Sequence, residues 1–204
     1  MKLFYSPTSP YVRKALVVAH ETGLADRIER LPSAAGPVAR DQTIIAHNPL
    51  GQVPTMLTDE GVMIADSRVI CAYLDEMAGG RLRPQGASER LRAEVDQAMA
   101  DGILGAALLI RYETVMRPEN LRWQDWLNGQ WDKIFTTLAY FEANPPGARV
   151  DIGSIALACA LSYLDLRFAD TAGWRARAPG IAEWYKRFAE RSSMKATVLA
   201  QASY

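Results

Sequence analysis

Along the first part of the chain the spacing of apolar positions changes period several times. Lys2 to Tyr5 is a short apolar run stopped by Ser6 and Pro7, which predicts a strand. Val12, Ala15, Leu16 and Ala19 then recur at helical spacing, and Gly23 closes that helix. Ile28 to Leu31 predicts a second strand, and a Pro-, Gly- and Ala-rich loop leads to a short helix ending near His47 and Asn48-Pro49. Thr55–Leu57 and Val62–Ile64 read as two further strands, with Asp59-Glu60-Gly61 as the hairpin turn between them. Another helix is predicted from Asp66 to about Met77.

Residues 79–87 (Gly-Gly-Arg-Leu-Arg-Pro-Gln-Gly-Ala) break this pattern and read as a linker. Beyond them strand signals largely vanish. Helical periods cover 88–116, 120–143, 151–168 and 178–191, and all five tryptophans fall in this half. The expected organisation is therefore residues 1–78, the linker 79–87, and an all-helical domain 88–204. The fold class is α/β plus all-α. The order βαβαββα in the first domain matches the thioredoxin-like pattern.

Composition narrows the function classes. Of 204 residues 49% are hydrophobic and 23% charged, enough for a well-formed core. Lys plus Arg and Asp plus Glu both number 23, so no net field attracts nucleic acid or an anionic membrane, and neither is an expected partner. The longest charge-free apolar stretch, Ile152 to Leu164, is too short to span a bilayer as a helix, which takes roughly 20 residues. No apolar signal core follows Met1, and Cys71 and Cys159 form no CxxC pair, so the expected address is the cytoplasm. Both cysteines sit in apolar runs and read as buried residues. His20 and His47 are isolated and show no metal-ligand spacing, so no metal is expected.

The candidate chemistry lies in loops before helices. Ser9 precedes Pro10 at a helix start, a favoured N-cap before a favoured first helical residue. Ser9 can simply cap the helix. It can also donate a hydrogen bond to a bound thiolate beside the positive helix end, where stabilising the anion would lower a thiol pKa from roughly 8.5. Asp66-Ser67 opens a second helix and reads as a cap, or as an acceptor for an ammonium beside a donor to a carboxylate.

Four segments carry a family resemblance. Thr8-Ser9-Pro10-Tyr11-Val12-Arg13-Lys14 resembles the active-site loop of bacterial glutathione S-transferases with a catalytic serine, in the subgroup reading T-S-P-[FY]-V-R-K. Asn48-Pro49-Leu50-Gly51-Gln52-Val53-Pro54 resembles the family's N-P-x-G-x-V-P, and Ala65-Asp66-Ser67-Arg68-Val69-Ile70 its [ED]-S-x-x-I. The segment from Asp151 to Leu161 resembles the folding motif of the helical domain, with Asp and Ser in swapped order. The similarity spans essentially the whole chain.

The resemblance implies an enzyme that binds reduced glutathione and directs its thiol at a small electrophile. Ser9 would be the catalytic residue. Ser9, Gln52, Val53, Pro54, Asp66 and Ser67 would bind glutathione, with a cis Val53–Pro54 bond. Tyr11, Arg111 and Tyr112 would line the second-substrate pocket. No cofactor is implied, glutathione being a co-substrate. A homodimer is implied, pairing the helix near 66–77 of one subunit with the long helices near 88–116 of the other. A serine in place of a cysteine argues against glutaredoxin chemistry, because a hydroxyl cannot form a mixed disulfide. The competing expectation is a non-catalytic module that holds glutathione, another ligand or a partner protein on the same fold.

Overall fold

The computed structural model describes residues 1–200. Four strands form one sheet: β1 (Lys2–Tyr5), β2 (Glu29–Pro32), β3 (Thr55–Leu57) and β4 (Met63–Ile64), in spatial order β2-β1-β3-β4. β1 pairs parallel with β2 and antiparallel with β3, and β3 pairs antiparallel with β4. The helices α1 (Pro10–Glu21), α2 (Gln42–Ile45) and α3 (Ser67–Met77) complete the βαβαββα order. The fold is thus a thioredoxin-like domain followed by a helical one, as the apolar periodicity predicts. The second strand lies one residue later than its apolar run, because Glu29 and Pro32 take part in the ladder with β1.

The sheet is held by a small core. Leu3, Phe4 and Met56 are buried on the strands, and Ile44, Ile70 and Leu74 are buried on the helices. Along α1 every residue from Val12 to Ala19 is buried, including Arg13 and Lys14. Asp59-Glu60-Gly61 turns as expected, with Gly61 at φ 81°. The 79–83 stretch wraps around one carboxylate: buried Asp75 accepts hydrogen bonds from the backbone N–H groups of Arg81, Leu82 and Arg83 at 2.8–2.9 Å.

The helical unit contains α4 (Ala87–Arg111), α5 (Gln124–Ala143), α6 (Ile152–Phe168), α7 (Trp174–Arg177) and α8 (Pro179–Phe188). α4 does not continue as α-helix to 116. It widens into a π turn over Tyr112–Met116. α6 is buried without interruption from Ile152 to Leu164, which explains a sequence too apolar to show a polar face. Its start is a capping box: Asp151 Oδ1 accepts from the Ser154 N–H, and Ser154 Oγ accepts from the Asp151 N–H. The swapped Asp and Ser therefore do the same work. α4 passes close to this start. A Cβ on Gly153 would lie 2.7 Å from both the Ala93 carbonyl oxygen and Asp96 Cβ.

Among the described residues the two compact units are Met1–Ala87 with residues 192–200, and Ser88–Arg191. The expected helical domain 88–204 is thus divided. Short helix α9 (Ser192–Lys195) packs on α1, because Arg13 donates from Nη2 to the Met194 carbonyl at 3.0 Å and from Nε to Thr197 Oγ1 at 3.5 Å.

Candidate functional site

The sheet register brings distant segments to one end. Phe4 lies opposite Thr55, so the chain leaving β1 runs beside the chain entering β3 at Val53-Pro54. Ile64 lies opposite Met56, so the chain leaving β4 toward Asp66 returns to that same end. The Ser9, Val53 and Asp66 loops therefore neighbour one another although widely separated in sequence.

Ser9 is the N-cap of α1, with extended backbone (φ −83°, ψ 119°) and Pro10 following it. Its Oγ accepts from the Val12 N–H at 3.3 Å, so the cap is real. The hydroxyl proton has no acceptor among the described residues and can be donated elsewhere. The loop beneath is fixed by Ser9 N–H to the Ser6 carbonyl at 3.1 Å and by Ala200 N–H to the Pro7 carbonyl at 3.1 Å.

The Val53–Pro54 bond is cis. The Val53 N–H and C=O make no hydrogen bond among the described residues, and Val53 is partly exposed. Buried polar groups hold this presentation. Asn48 Nδ2 donates to Thr55 Oγ1 at 2.7 Å, and Thr55 Oγ1 donates to the Gln52 carbonyl at 2.7 Å. Asn48 Oδ1 accepts from the Leu50 N–H at 3.0 Å, and Gly51 takes φ 61°. Gln52 is exposed and Pro54 buried.

Asp66 is the N-cap of α3, where Oδ1 accepts from the Arg68 N–H at 2.9 Å. Its side chain is exposed, and Oδ2 has no partner among the described residues. Ser67, the first residue of α3, is 2% exposed, and its hydroxyl also has no partner there.

This end of the sheet therefore offers a donor hydroxyl at a helix N-terminus, an unpaired strand-like backbone segment, and a carboxylate oxygen next to a second hydroxyl. Two family descriptions match the chain: Glutathione S-transferase, N-terminal domain, over residues 8–77, and Glutathione S-transferase, C-terminal domain, over residues 124–187. The uncharacterized GST-like protein YibF of Escherichia coli K12 is 33% identical, over 97% of this chain and 98% of its own. The chain belongs to the glutathione S-transferase family. A glutathione transferase family member from Pseudomonas fluorescens Pf-5, solved with bound glutathione, is 43% identical with a TM-score of 0.95, over 98% of this chain and 99% of that one. A second Pseudomonas fluorescens Pf-5 structure, with bound S-(propanoic acid)-glutathione, is 41% identical with a TM-score of 0.90, over 98% and 100%.

The remaining family-implied residues divide between the units. Tyr11 is half-buried in the first turn of α1, with Lys14 Nζ 5.7 Å from its ring centroid. Arg111 ends α4 and Tyr112 opens the π turn. Burial raises the Tyr112 phenol pKa, with the Arg111 charge opposing, so the hydroxyl stays protonated at neutral pH. Arg117, one turn further, is tied to Glu113 at 2.8 Å, and Glu113 also accepts from the Trp123 N–H at 2.9 Å. That trio braces the turn.

Sequence reasoning missed the supports: Asn48 and Thr55 under the cis turn, and Arg13 clamping α9. Arg40 was missed as well. It donates to the Pro49 carbonyl, and a Cβ on Gly51 would lie 3.2 Å from its Nη2. The usable signal was polarity at positions the apolar pattern makes internal, most clearly Thr55 heading a buried strand. Cys71 and Cys159 are both buried. No group of metal-ligating side chains occurs among the described residues, and no helix there is long and apolar enough to cross a membrane.

Proposed function

We propose that the protein is a glutathione transferase of the bacterial serine type with the T-S-P-[FY]-V-R-K loop. The observation that carries this reading is the meeting of the Ser9, Val53-Pro54 and Asp66-Ser67 loops at one end of the sheet. Each group left without a partner there matches a feature of the tripeptide. Val53 N–H and C=O would pair, strand-like, with the cysteinyl backbone of glutathione, with Pro54 shaping that turn. Asp66 Oδ2 would accept from the γ-glutamyl ammonium, and Ser67 would donate to the neighbouring carboxylate through its hydroxyl and the helix-end N–H. Gln52 would face the glycine end.

In this mechanism Ser9 is the catalytic residue. Its hydroxyl donates to the sulfur, and the N-terminal end of α1 adds a favourable potential for negative charge. Both favour loss of the thiol proton to solvent. The thiolate then forms a sulfur–carbon bond with a small electrophile, which expels a leaving group or takes up a proton. No cofactor is required, since glutathione is the co-substrate. Tyr11, Arg111 and Tyr112 are the residues that the family resemblance assigns to the electrophile. The relative holding S-(propanoic acid)-glutathione supports a carbon electrophile, because that compound carries a carboxylic acid chain on the sulfur.

The working form is a cytoplasmic homodimer. α3 leaves Val69 and Met77 exposed, and α4 leaves Leu91, Val95 and Met99 exposed at four-residue spacing. Apolar stripes of this kind mark association surfaces. Sedimentation at micromolar concentration should give a dimer, and a monomer alone would reject this assembly.

Calorimetric titration with reduced glutathione, joined to the ultraviolet absorbance of the bound thiolate, tests the reading. Wild type should bind saturably and show thiolate at neutral pH. Ser9→Ala should bind but lose the thiolate signal. No binding by the wild type would leave a family fold without the family's ligand and favour a non-catalytic module.

A further inference from the structure

Arg13 stands in the same loop motif as Ser9 and has no part in the glutathione chemistry. It lies in the first turn of α1 and is 6% exposed, yet it pairs with no carboxylate among the described residues. Its guanidinium is given over to the chain after Ser192: Nη2 donates to the Met194 carbonyl at 3.0 Å and Nε to Thr197 Oγ1 at 3.5 Å. A buried cation held by neutral acceptors alone recovers little of its desolvation cost, so this clamp is a poor device for stability by itself.

The clamp belongs to a longer contact within the first unit. Residues 193–200 run along α1 from its last turn to the loop before its first. Ser193 Oγ donates to a Glu21 carboxylate oxygen, Arg13 takes the middle, and the Ala200 N–H donates to the Pro7 carbonyl at 3.1 Å. Ser193, Met194 and Thr197 are buried, and Thr197 Oγ1 donates back to the Ser193 carbonyl at 2.8 Å.

Both flanks of Ser9 are thereby tied to this segment. Upstream, the Ser9 N–H closes a turn onto the Ser6 carbonyl at 3.1 Å, with Pro7 and Thr8 at its centre. The Pro7 carbonyl takes no part in that bond, and the Ala200 N–H is its donor. Downstream, the Arg13 N–H donates to the Ser9 carbonyl at 3.0 Å while the same residue's side chain grips the segment. Among the described residues Ser9 Oγ is itself held only by the Val12 N–H, at 3.3 Å. The direction of its hydroxyl is therefore set by the backbone on either side.

We propose that residues 193–200 form a strap that positions the Ser9 loop for thiolate stabilisation, with Arg13 and the Ala200 N–H as its positioning groups. Both act through Ser9 rather than on glutathione. A hydrogen bond to sulfur weakens steeply as its angle departs from linear, so a loosened loop loses thiolate stabilisation while the Val53 and Asp66-Ser67 contacts stay in place. The inference rests on the transferase reading, since it names what holds the catalytic residue of that reading.

The pH dependence of thiolate absorbance in the glutathione complex tests it, beside calorimetry with S-methylglutathione, which has no thiol to ionise. Ala200→Pro removes the donor to Pro7 at an exposed position of the full chain. It should raise the bound thiol pKa by about half a unit, a roughly threefold loss of thiolate below that pKa. Affinity for S-methylglutathione should stay within about twofold. Ala200→Gly keeps the N–H and should match the wild type. Arg13→Lys keeps the charge but loses the two-armed fork, and should shift the thiol in the same direction. Combining it with Ala200→Pro should add little, because both act through one strap. An unchanged thiol pKa in Ala200→Pro overturns the strap. So does an equal shift in Ala200→Gly, a fully additive double variant, or a loss of S-methylglutathione affinity as large as the loss of thiolate. A wild type that binds neither ligand, or binds glutathione without ionising it, overturns the transferase reading and the strap with it.

Discussion

The two compact units use buried polarity in opposite ways. In the unit with the sheet, buried polar side chains mostly serve backbone. Asn48 and Thr55 hold the Leu50–Pro54 turn, and Asp75 gathers the N–H groups of residues 81–83. In the helical unit, several buried polar side chains serve one another. Asp96, Arg149 and Asp151 form an ion-paired row, and Arg117 pairs with Glu113. Under the proposed function the difference would have a meaning. A tripeptide would be recognised through main-chain groups and helix ends, which any sequence keeping the fold can present. A second substrate would be recognised by side chains, which can be exchanged without disturbing the backbone.

The helical unit should be the more sensitive to a single charge deletion. Asp96→Ala leaves Arg149 half-buried with one ion-pair partner instead of two, and should cost about 3 kcal/mol, read as a shift in the urea midpoint. Glutathione affinity should be little changed in the folded fraction. A loss well under 1 kcal/mol would mean that the row is solvated and the contrast between the units is false.

In the sheet unit, Asn48→Ala removes the donor to Thr55 and the acceptor of Leu50. It should cost about 2 kcal/mol, as for a buried polar group left unsatisfied. Because the brace lies beneath the Val53 turn, glutathione affinity should fall as well. Stability lost with affinity intact would separate the brace from the site.

Ser9→Ala sharpens the contrast from the chemical side. Losing the cap should cost about 1 kcal/mol, while glutathione-dependent turnover drops at least tenfold, corresponding to about 1.4 kcal/mol of barrier. Ser9→Asn preserves a cap and should restore stability but not turnover. Turnover unchanged in the alanine variant would reduce Ser9 to a cap.

The smallest effect concerns pH. The Asp41 carboxyl lies below its usual pKa of 3.8, chiefly through the Thr43 hydroxyl, then through the Ala34 and Thr43 N–H groups. A depressed carboxylate contributes stability above its unfolded pKa and loses it as pH falls through the folded one. Acidification below the usual aspartate range should therefore speed hydrogen exchange at the Ala34 and Thr43 amides before the sheet responds. Simultaneous exchange of both regions would show that α2 does not open locally.

What was legible depended on range. Ser9, Asp66 and the Asp151–Ser154 box could be read because a cap and its helix are adjacent in sequence. The linker after α3 could be read from Gly and Pro, but not Asp75 as the residue that closes it. The return of Ser192 onward to the first unit was not legible, because Arg13 finds the Met194 carbonyl across nearly the whole chain. Nor was the π turn, since Tyr112–Met116 continues the helical period and only the hydrogen-bond spacing changes.

By itself the sequence determined the element order, the helix caps and the family, because apolar period, cap chemistry and contiguous motifs are local properties of the chain. Tertiary structure alone decided which groups were left without partners. Whether the Val53 backbone or the Ser67 hydroxyl is satisfied depends on neighbours that reach it only after the sheet register and the helix packing are set. Unsatisfied groups are where a ligand gains most, so the fold selects the site from among many residues of the same type.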